Sequence, residues 1–224
     1  MEIQERRLHF SERIGDEKMF KRYFARAGNV LGKTELATLK EGILTSEYLG
    51  PSPLGKEFVN SKGFSVVFRR DRIESVGHHF PYLCPLLDLA LFEACNAFYI
   101  NPLILEGSSR VDPHIDCRLI GDGDVRLIPN LVSVFYVEVP RDIVGGSLVL
   151  NVGKESEVVL QPDSNEVIHF LGDVVHSVTE VRASCTRMSV VCEQYNLTGD
   201  NLAGFPSFCV LTDCRATPRV AAER

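Results

Sequence analysis

Residues 126–139 read RLIPNLVSVFYVEV, a run of branched and aromatic residues that is typical of a β-strand. Seven more short stretches of this kind lie between residues 97 and 195, punctuated by segments rich in Gly, Pro, Asp and Asn. They are 97–105, 113–120, 146–152, 156–162, 166–172, 176–181 and 187–195. The connections are too short to hold helices, which excludes a parallel α/β fold and favours a β-sandwich or jelly roll.

The first third of the chain has mostly the periodicity of helices. Apolar residues share one predicted helical face at Met19, Phe20, Tyr23 and Phe24, and another at Leu36, Leu39 and Ile43. Thr34 is placed to cap the second of these helices. A strand is expected at 63–70 and a longer helix at 81–96, where six apolar residues form one stripe. We therefore expect a mainly β fold with an N-terminal helical segment packed outside it.

The 224 residues are expected to form a single domain in three parts. Residues 1–96 form a helical supporting region, and residues 97–196 form the β core. Residues 197–224 form a C-terminal extension, whose apolar segment FPSFCVL is expected to dock on the core or to cover its mouth. Oligomeric state has no signature in the sequence.

Charge and composition exclude several classes of function. A net charge of -6 argues against a general nucleic-acid binder, which needs a basic surface to displace phosphate counterions. The N-terminus lacks the apolar stretch of a signal peptide, and no run of residues is apolar enough to span a membrane. Seven cysteines without a CxxC pair are typical of reduced thiols, so we expect a cytoplasmic protein.

His114 and Asp116 stand two residues apart within the stretch PHIDCRLI at 113–120. If both lie on one strand, their side chains point to the same face. A second histidine would complete the two-histidine, one-carboxylate site that binds Fe(II) in non-haem oxygenases. His176 opens a later strand and is the favoured third ligand among the remaining histidines, which are His9, His78, His79 and His169. Taken alone, such a pair is more typical of an ordinary polar strand end than of a metal site.

Arg187 and Ser189 are also two residues apart on a predicted strand. An arginine fork beside a hydroxyl is suited to binding a carboxylate through two charge-assisted hydrogen bonds. An inward-facing arginine requires an anionic partner, because a buried charge without one is costly. A surface arginine on the outer face of the sheet is the alternative.

Taken together, these motifs resemble the Fe(II)/2-oxoglutarate-dependent dioxygenases, and most closely their prolyl-4-hydroxylase-like branch. The resemblance covers residues 97–195. It comprises His114-x-Asp116, the strand SVFYVEV at 133–139, IVGGSLVL at 143–150, FLGDVVHSVTEV at 170–181 and Arg187-x-Ser189, in the order that this branch has them. The resemblance implies a double-stranded β-helix, which is a jelly-roll or cupin-like fold.

The resemblance also implies a site and a reaction. His114, Asp116 and His176 would bind Fe(II), and the distal carboxylate of 2-oxoglutarate would pair with Arg187, assisted by Ser189. Tyr136 matches a position whose hydroxyl often contacts this cosubstrate. The implied reaction consumes O2, converts 2-oxoglutarate to succinate and CO2, and hydroxylates a substrate; ascorbate would stimulate it.

The substrate has several candidate classes. The leading hypothesis is an unactivated C–H bond of a small molecule or amino acid, free or carrier-bound. A peptidyl prolyl or other side-chain hydroxylase is the alternative, and a non-catalytic jelly-roll binding protein is an alternative of another class. The nucleic-acid demethylase branch has a second arginine where this chain has Glu193, which argues against a nucleic-acid substrate. His78 and His79 are candidates for a lid, and Asn101 and Asn130 lie near the expected barrel mouth.

Overall fold

The computed structural model describes residues 24–120, 125–151, 157–182 and 186–212. Strands predominate, and four α-helices lie among the described residues: α1 Lys33–Leu44, α2 Ile73–His79, α3 Cys84–Ala90 and α4 Gly199–Gly204. The strands are β1 Phe24–Gly28, β2 Gly50–Pro51, β3 Phe58–Val59, β4 Lys62–Gly63, β5 Ser65–Arg69, β6 Ala97–Leu105, β7 Arg110–His114, β8 Arg118–Ile120, β9 Val125–Leu127, β10 Leu131–Glu138, β11 Leu148–Asn151, β12 Glu157–Leu160, β13 Glu166–Leu171, β14 Val175–Val178, β15 Arg187–Tyr195 and β16 Phe208–Leu211.

Two antiparallel sheets make up the core of the fold. The larger has the order β1-β13-β10-β15-β6-β4-β2, with β5 paired to β6 and β16 paired to β5. The smaller has the order β12-β11-β14-β7-β3, and β8 and β9 form a separate hairpin. Apolar side chains of β10 and β13 pack against those of β11 and β12, so the two sheets face each other. This arrangement confirms the predicted jelly roll.

The larger sheet is covered on both faces, which explains why β10 and β15 read as continuous apolar runs. Alternate residues of β10 such as Val132 and Val134 face the smaller sheet. Phe135 and Val137 face the other way, into a cluster with Leu39 of α1 and with the apolar residues of α2 and α3. The helices therefore pack on the outside of the larger sheet, as predicted for the N-terminal segment.

Two details of the predicted N-terminal helices are wrong. Helix α1 begins after Gly32, whose N–H donates to the Glu35 carboxylate at 2.7 Å, and Thr34 already lies in the first turn instead of capping it. Phe24 lies in β1 and not in a helix, because the edge of β13 pairs with it opposite Phe170. The other members of that predicted face, at 19, 20 and 23, lie outside the described residues.

The helix predicted over 81–96 is shorter than expected. A turn of 3-10 helix at Pro81–Leu83 leads into α3, which ends at Ala90. Gln194 of β15 explains the end: its amide nitrogen donates to the Ala90 carbonyl at 3.0 Å, and its amide oxygen accepts from Phe92 N–H at 2.9 Å. These contacts satisfy backbone groups that would otherwise continue the helix.

The predicted strands agree in position with the observed ones, with two interruptions. The stretches 97–105 and 187–195 coincide with β6 and β15, whereas 126–139 divides into β9 and β10. The stretch 113–120 also divides, because β7 ends at His114 and β8 begins at Arg118. Asp116 therefore lies in a loop, and the expectation that it shares one strand face with His114 is wrong.

The C-terminal apolar segment adds a strand to the larger sheet. Phe208 of β16 pairs with Phe68 of β5, at an edge of the sheet, and contributes to the cluster under the helices. The segment thus docks on the core, and none of its described residues lines the cavity between the sheets. In the described part of the chain, no helix combines the length and apolar character required to cross a bilayer.

Candidate metal centre and anion-binding cavity

His114, Asp116 and His176 come together at the end of the smaller sheet. His114 and His176 lie opposite each other in the β7–β14 pair, and the loop after β7 brings Asp116 between them. Asp116 Oδ1 lies 3.2 Å from His114 Nε2, and Asp116 Oδ2 lies 3.6 Å from His176 Nε2. The three potential ligand atoms are all within 4.8 Å of one another.

Backbone carbonyls fix the orientation of both imidazoles. His114 Nδ1 lies 2.9 Å from the carbonyl oxygen of Asp112, and His176 Nδ1 lies 3.0 Å from that of Val174. A carbonyl only accepts hydrogen bonds, so the proton of each neutral ring is on Nδ1 and the lone pair is on Nε2. Both lone pairs therefore point toward Asp116, which is the arrangement found in histidine ligands of metals.

The two histidines respond differently to their surroundings. Burial lowers the pKa of His114, but the negative Asp116 carboxylate beside its Nε2 outweighs burial, and the net direction is upward. Burial lowers the pKa of His176, and the charge of Asp116 only partly opposes the change. A neutral imidazole at His176 is the form that binds a metal.

The residues fit a first-row divalent cation. Neighbouring ligands of an octahedral ion lie about 3 Å apart when each is about 2.1 Å from the metal, close to the observed spacings around Asp116. His114 Nε2 is buried and has no hydrogen-bond partner among the described residues. A cation bound by the three side chains would complete the interactions of this nitrogen and leave positions open for other ligands.

The triad opens into a cavity of ≈ 450 Å³ between the two sheets, counting the space open to solvent at its mouth. Side chains of β15 at alternate positions line it, from Arg187 and Ser189 through Val191 to Glu193. The strand period of two explains why these four residues share the inner face. The opposite wall is formed by apolar residues of the smaller sheet, including Leu148 and Val178.

Arg187 is a charged side chain of this cavity with only 1% of its surface exposed. Its Nε and Nη1 have no hydrogen-bond partner in the described ranges. The guanidinium carbon lies 4.8 Å from the centre of the Tyr136 ring. Burial lowers the pKa of Arg187, and Tyr136 partly opposes the shift. A buried arginine with unused donors is expected to receive an anion.

Two hydroxyls accompany the guanidinium. Tyr136 Oη and Ser189 Oγ are buried, and neither has a hydrogen-bond partner among the residues that the structure describes. Tyr136 and Ser189 are paired across β10 and β15, so both hydroxyls lie beside Arg187. Gly146 leaves room here, because a Cβ at that residue would lie 3.2 Å from Arg187 Cδ. The structure therefore brings together all three residues predicted for cosubstrate binding.

Several other candidates lie elsewhere. His78 and His79 are exposed on α2, where His79 contacts the Phe208 ring, and neither lines the cavity. Asn130 accepts a hydrogen bond from Asn196 N–H at 2.7 Å and joins two chain segments. Asn101, in contrast, does line the cavity.

Sequence patterns did not indicate two apolar residues of the cavity. Leu54 and Phe58 belong to the segment before β4, outside the predicted β core, and both line the cavity. The Phe58 ring contacts the His114 ring edge-on, with centroids 5.1 Å apart. The pairing of β3 with β7 brings this segment to the cavity. A strand of two residues is too short to show the alternation that predicts strands from sequence.

His169 is buried away from the metal centre. It lies on β13, where Nδ1 is 2.8 Å from Ser133 Oγ, and burial lowers its pKa to about 3. Between pH 6.5 and about 3, the unfolded chain binds a proton at this residue and the folded chain does not. As the pH is lowered through this range, His169 should therefore decrease the free energy of unfolding by up to about 1.4 kcal/mol per pH unit.

Urea unfolding of wild type and His169→Asn between pH 7.5 and 5 (roughly the upper part of that window) tests this expectation. The variant should lose part of the pH dependence, whereas the exposed-site control His78→Ala should retain all of it. If the free energy of unfolding changed with pH identically in wild type and His169→Asn, His169 would not be held neutral in the folded protein.

Comparison with known proteins gives a fold but no sequence relative: no family model matches the chain, and no curated protein does. A prolyl-4-hydroxylase from Pseudomonas putida matches with a TM-score of 0.56 and 15% identity, covering 81% of this chain and 97% of that one. An oxidoreductase of the 2OG-Fe(II) oxygenase family from Burkholderia pseudomallei matches with a TM-score of 0.54 and 15% identity. The match covers 86% of this chain and 92% of that one.

A third similar structure is a prolyl hydroxylase from Trichoplax adhaerens, in complex with a peptide fragment of the hypoxia inducible factor oxygen degradation domain. Its TM-score is 0.59 at 14% identity, and the match covers 87% of this chain and 92% of that one. At these identities the likeness concerns the fold. The chain has the fold of 2-oxoglutarate- and Fe(II)-dependent oxygenases, in agreement with the resemblance found in its sequence.

Proposed function

We propose that the protein is an Fe(II)- and 2-oxoglutarate-dependent oxygenase. One observation carries the proposal: the His114, Asp116 and His176 cluster and the buried guanidinium of Arg187 open into the same cavity. A cation site and an anion site on opposite walls of one cavity suit a chelating dicarboxylate that bridges them. The shared fold supports the same conclusion.

Each side chain has a distinct task in this proposal. His114, Asp116 and His176 would hold the metal on one face, and their carbonyl contacts keep the imidazoles in the coordinating orientation. Arg187 would bind the distal carboxylate of 2-oxoglutarate, with Ser189 and Tyr136 donating further hydrogen bonds. Bound Fe(II) would supply O2 activation, coupling decarboxylation of 2-oxoglutarate to oxygen insertion into a C–H bond.

The apolar walls of the cavity would protect this chemistry from water. Leu148 and Val178 of the smaller sheet line the cavity, and Phe58 packs against His114. Exclusion of water prevents side reactions of reactive intermediates that would compete with substrate hydroxylation. We propose hydroxylation of a small molecule or amino acid, free or carrier-bound, because a cavity of ≈ 450 Å³ lined mainly by apolar side chains suits a ligand of that size.

A peptidyl prolyl or other side-chain hydroxylase is the second candidate function. The observation that favours it is the fold shared with the Trichoplax adhaerens prolyl hydroxylase, whose structure contains a peptide. We also propose a cytoplasmic location, with which the five free cysteines of the described residues agree.

The proposed function is tested with purified protein, Fe(II) and 2-oxoglutarate. Under anaerobic conditions, the ternary mixture should show the weak visible charge-transfer band of a chelated keto acid, and the band should require both components. In air, the protein should release succinate slowly without substrate and faster with free amino acids, small-molecule scaffolds or proline peptides. Protein that shows neither the band nor succinate would instead support a non-catalytic jelly-roll binding protein.

A further inference from the structure

The cavity has a second polar end, formed by Asn101 of β6 and Glu193 of β15. Both side chains line the cavity, and each has only 1% of its surface exposed. Burial of an amide and a carboxylate is costly unless their hydrogen bonds are satisfied. The contacts at this end therefore indicate what a ligand has to provide.

The orientation of the Asn101 amide is fixed by Glu193. Asn101 Nδ2 donates to Glu193 Oε1 at 3.1 Å, and Tyr195 Oη donates to Glu193 Oε2 at 2.6 Å. A carboxylate accepts hydrogen bonds, so the amide nitrogen must face it and the amide oxygen must face away. Asn101 Oδ1 is buried and has no hydrogen-bond partner within the described part of the chain. It is an acceptor that lacks a donor.

This end of the cavity is separate from the Arg187 end. Arg187 and Glu193 are six residues apart on β15, which places their Cα atoms roughly 20 Å apart at the rise of a strand. A five-carbon dicarboxylate held at Arg187 is far shorter than this separation. Its own negative charges are also unsuited to a position beside Glu193. The acceptor end must serve a different molecule.

The lining between the two ends is apolar. Val191 of β15, Val134 of β10 and Leu103 of β6 lie between the arginine and the carboxylate. A molecule that reaches the acceptor end from the metal centre therefore needs an aliphatic or otherwise apolar body and a polar group at one tip. The tip must donate hydrogen bonds, because Asn101 Oδ1 and the Glu193 carboxylate are both acceptors.

We infer that Asn101 and Glu193 select a substrate that carries a protonated amine. An ammonium group donates to Asn101 Oδ1 and is attracted by the charge of Glu193, whereas a hydroxyl supplies only the hydrogen bond. The inference rests on the proposed function, and it narrows the substrate to amines with an apolar body. Asn101 and Glu193 bind the substrate and take no part in the redox step.

Ligand binding tests this inference without turnover. The probes are n-hexylammonium and n-hexanol, which share one apolar chain and differ in the charged donor. Their affinities are measured by saturation-transfer NMR on protein loaded with 2-oxoglutarate and Zn(II). Zinc replaces iron here because it has no redox chemistry and so prevents turnover. Wild type should bind n-hexylammonium about tenfold more tightly than n-hexanol, the effect of one charge-assisted hydrogen bond.

Glu193→Gln should reduce this preference to less than about twofold, since it retains the shape and removes the charge. Asn101→Leu should weaken both probes, because both use Oδ1. Glu106→Gln is the matched control: Glu106 forms an exposed ion pair with Lys62 at 2.9 Å and does not line the cavity, so its tenfold preference should remain. Thermal unfolding of each variant checks its fold.

Equal affinity of wild type for the two probes would overturn the inference, whatever the variants do. An unchanged preference in folded Glu193→Gln would also overturn it. The proposed function fails separately, through absence of the charge-transfer band and of succinate. Protein that releases succinate but does not prefer the ammonium probe would retain the oxygenase proposal and lose this one.

Discussion

His176→Ala is expected to lower the affinity for Mn(II) or Fe(II) by more than about 100-fold and to abolish succinate release. Changes to groups that merely orient metal ligands already cost about 10- to 100-fold, and His176 would be a ligand itself. Removing it leaves His114 and Asp116, which are too few to hold the ion on one face. Calorimetric titration with Mn(II) measures the affinity, and succinate assays measure the activity.

Asp116→Ala should produce the same two losses, although it removes a loop residue and not a strand residue. His78→Ala is the matched control, because His78 is an exposed histidine of α2 that does not line the cavity. It should bind Mn(II) and release succinate like wild type. If folded His176→Ala retained metal affinity and activity, the assignment of the metal site would be wrong.

Arg187→Met is expected to change stability and cosubstrate binding in opposite directions. The buried guanidinium has no hydrogen-bond partner at Nε and Nη1 among the described residues, and methionine fills similar space without charge. The ligand-free variant should therefore gain about 1–4 kcal/mol in free energy of unfolding, as apolar replacements of buried charges often do. Its affinity for 2-oxoglutarate should fall by at least about 30-fold.

Urea unfolding without ligands and calorimetric titration with 2-oxoglutarate in the presence of Zn(II) measure the two effects. Arg26→Met provides the contrast, because Arg26 forms an ion pair with buried Glu166 at 2.5 Å. That variant should lose stability and keep its affinity for 2-oxoglutarate. Loss of stability in Arg187→Met would indicate a structural arginine and contradict a role in binding the cosubstrate.

Both predictions concern residues that the sequence had already indicated. The strand pattern placed Arg187 and Ser189 on one face, and the structure buries both beside Tyr136. For Asp116, the sequence pattern predicted one continuous strand through 113–120, whereas the chain leaves the strand at His114 and returns to one at Arg118. Asp116 reaches His114 because β7 ends there, and the loop that follows turns the carboxylate toward the imidazoles.

Contacts between residues far apart in the chain explain the other differences between the predicted and the observed secondary structure. The apolar stripe after Pro81 predicts helix until the chain meets Gln194, more than a hundred residues later, which ends α3 at Ala90. The helical spacing of Phe24 was overridden by pairing with Phe170 on the edge of a sheet. Neither partner can be found from the periodicity of the segment itself.

The sequence by itself determined the strand-rich core, because alternation and β-branched residues act over neighbouring positions. It also determined which residues carry the charge and the imidazoles of the site. Only the tertiary structure decided that Asn101 and Glu193 meet. Their hydrogen bond leaves the amide oxygen of Asn101 as an acceptor without a donor among the described residues. That contact joins two strands far apart in the chain, so it exists only when β6 and β15 pair.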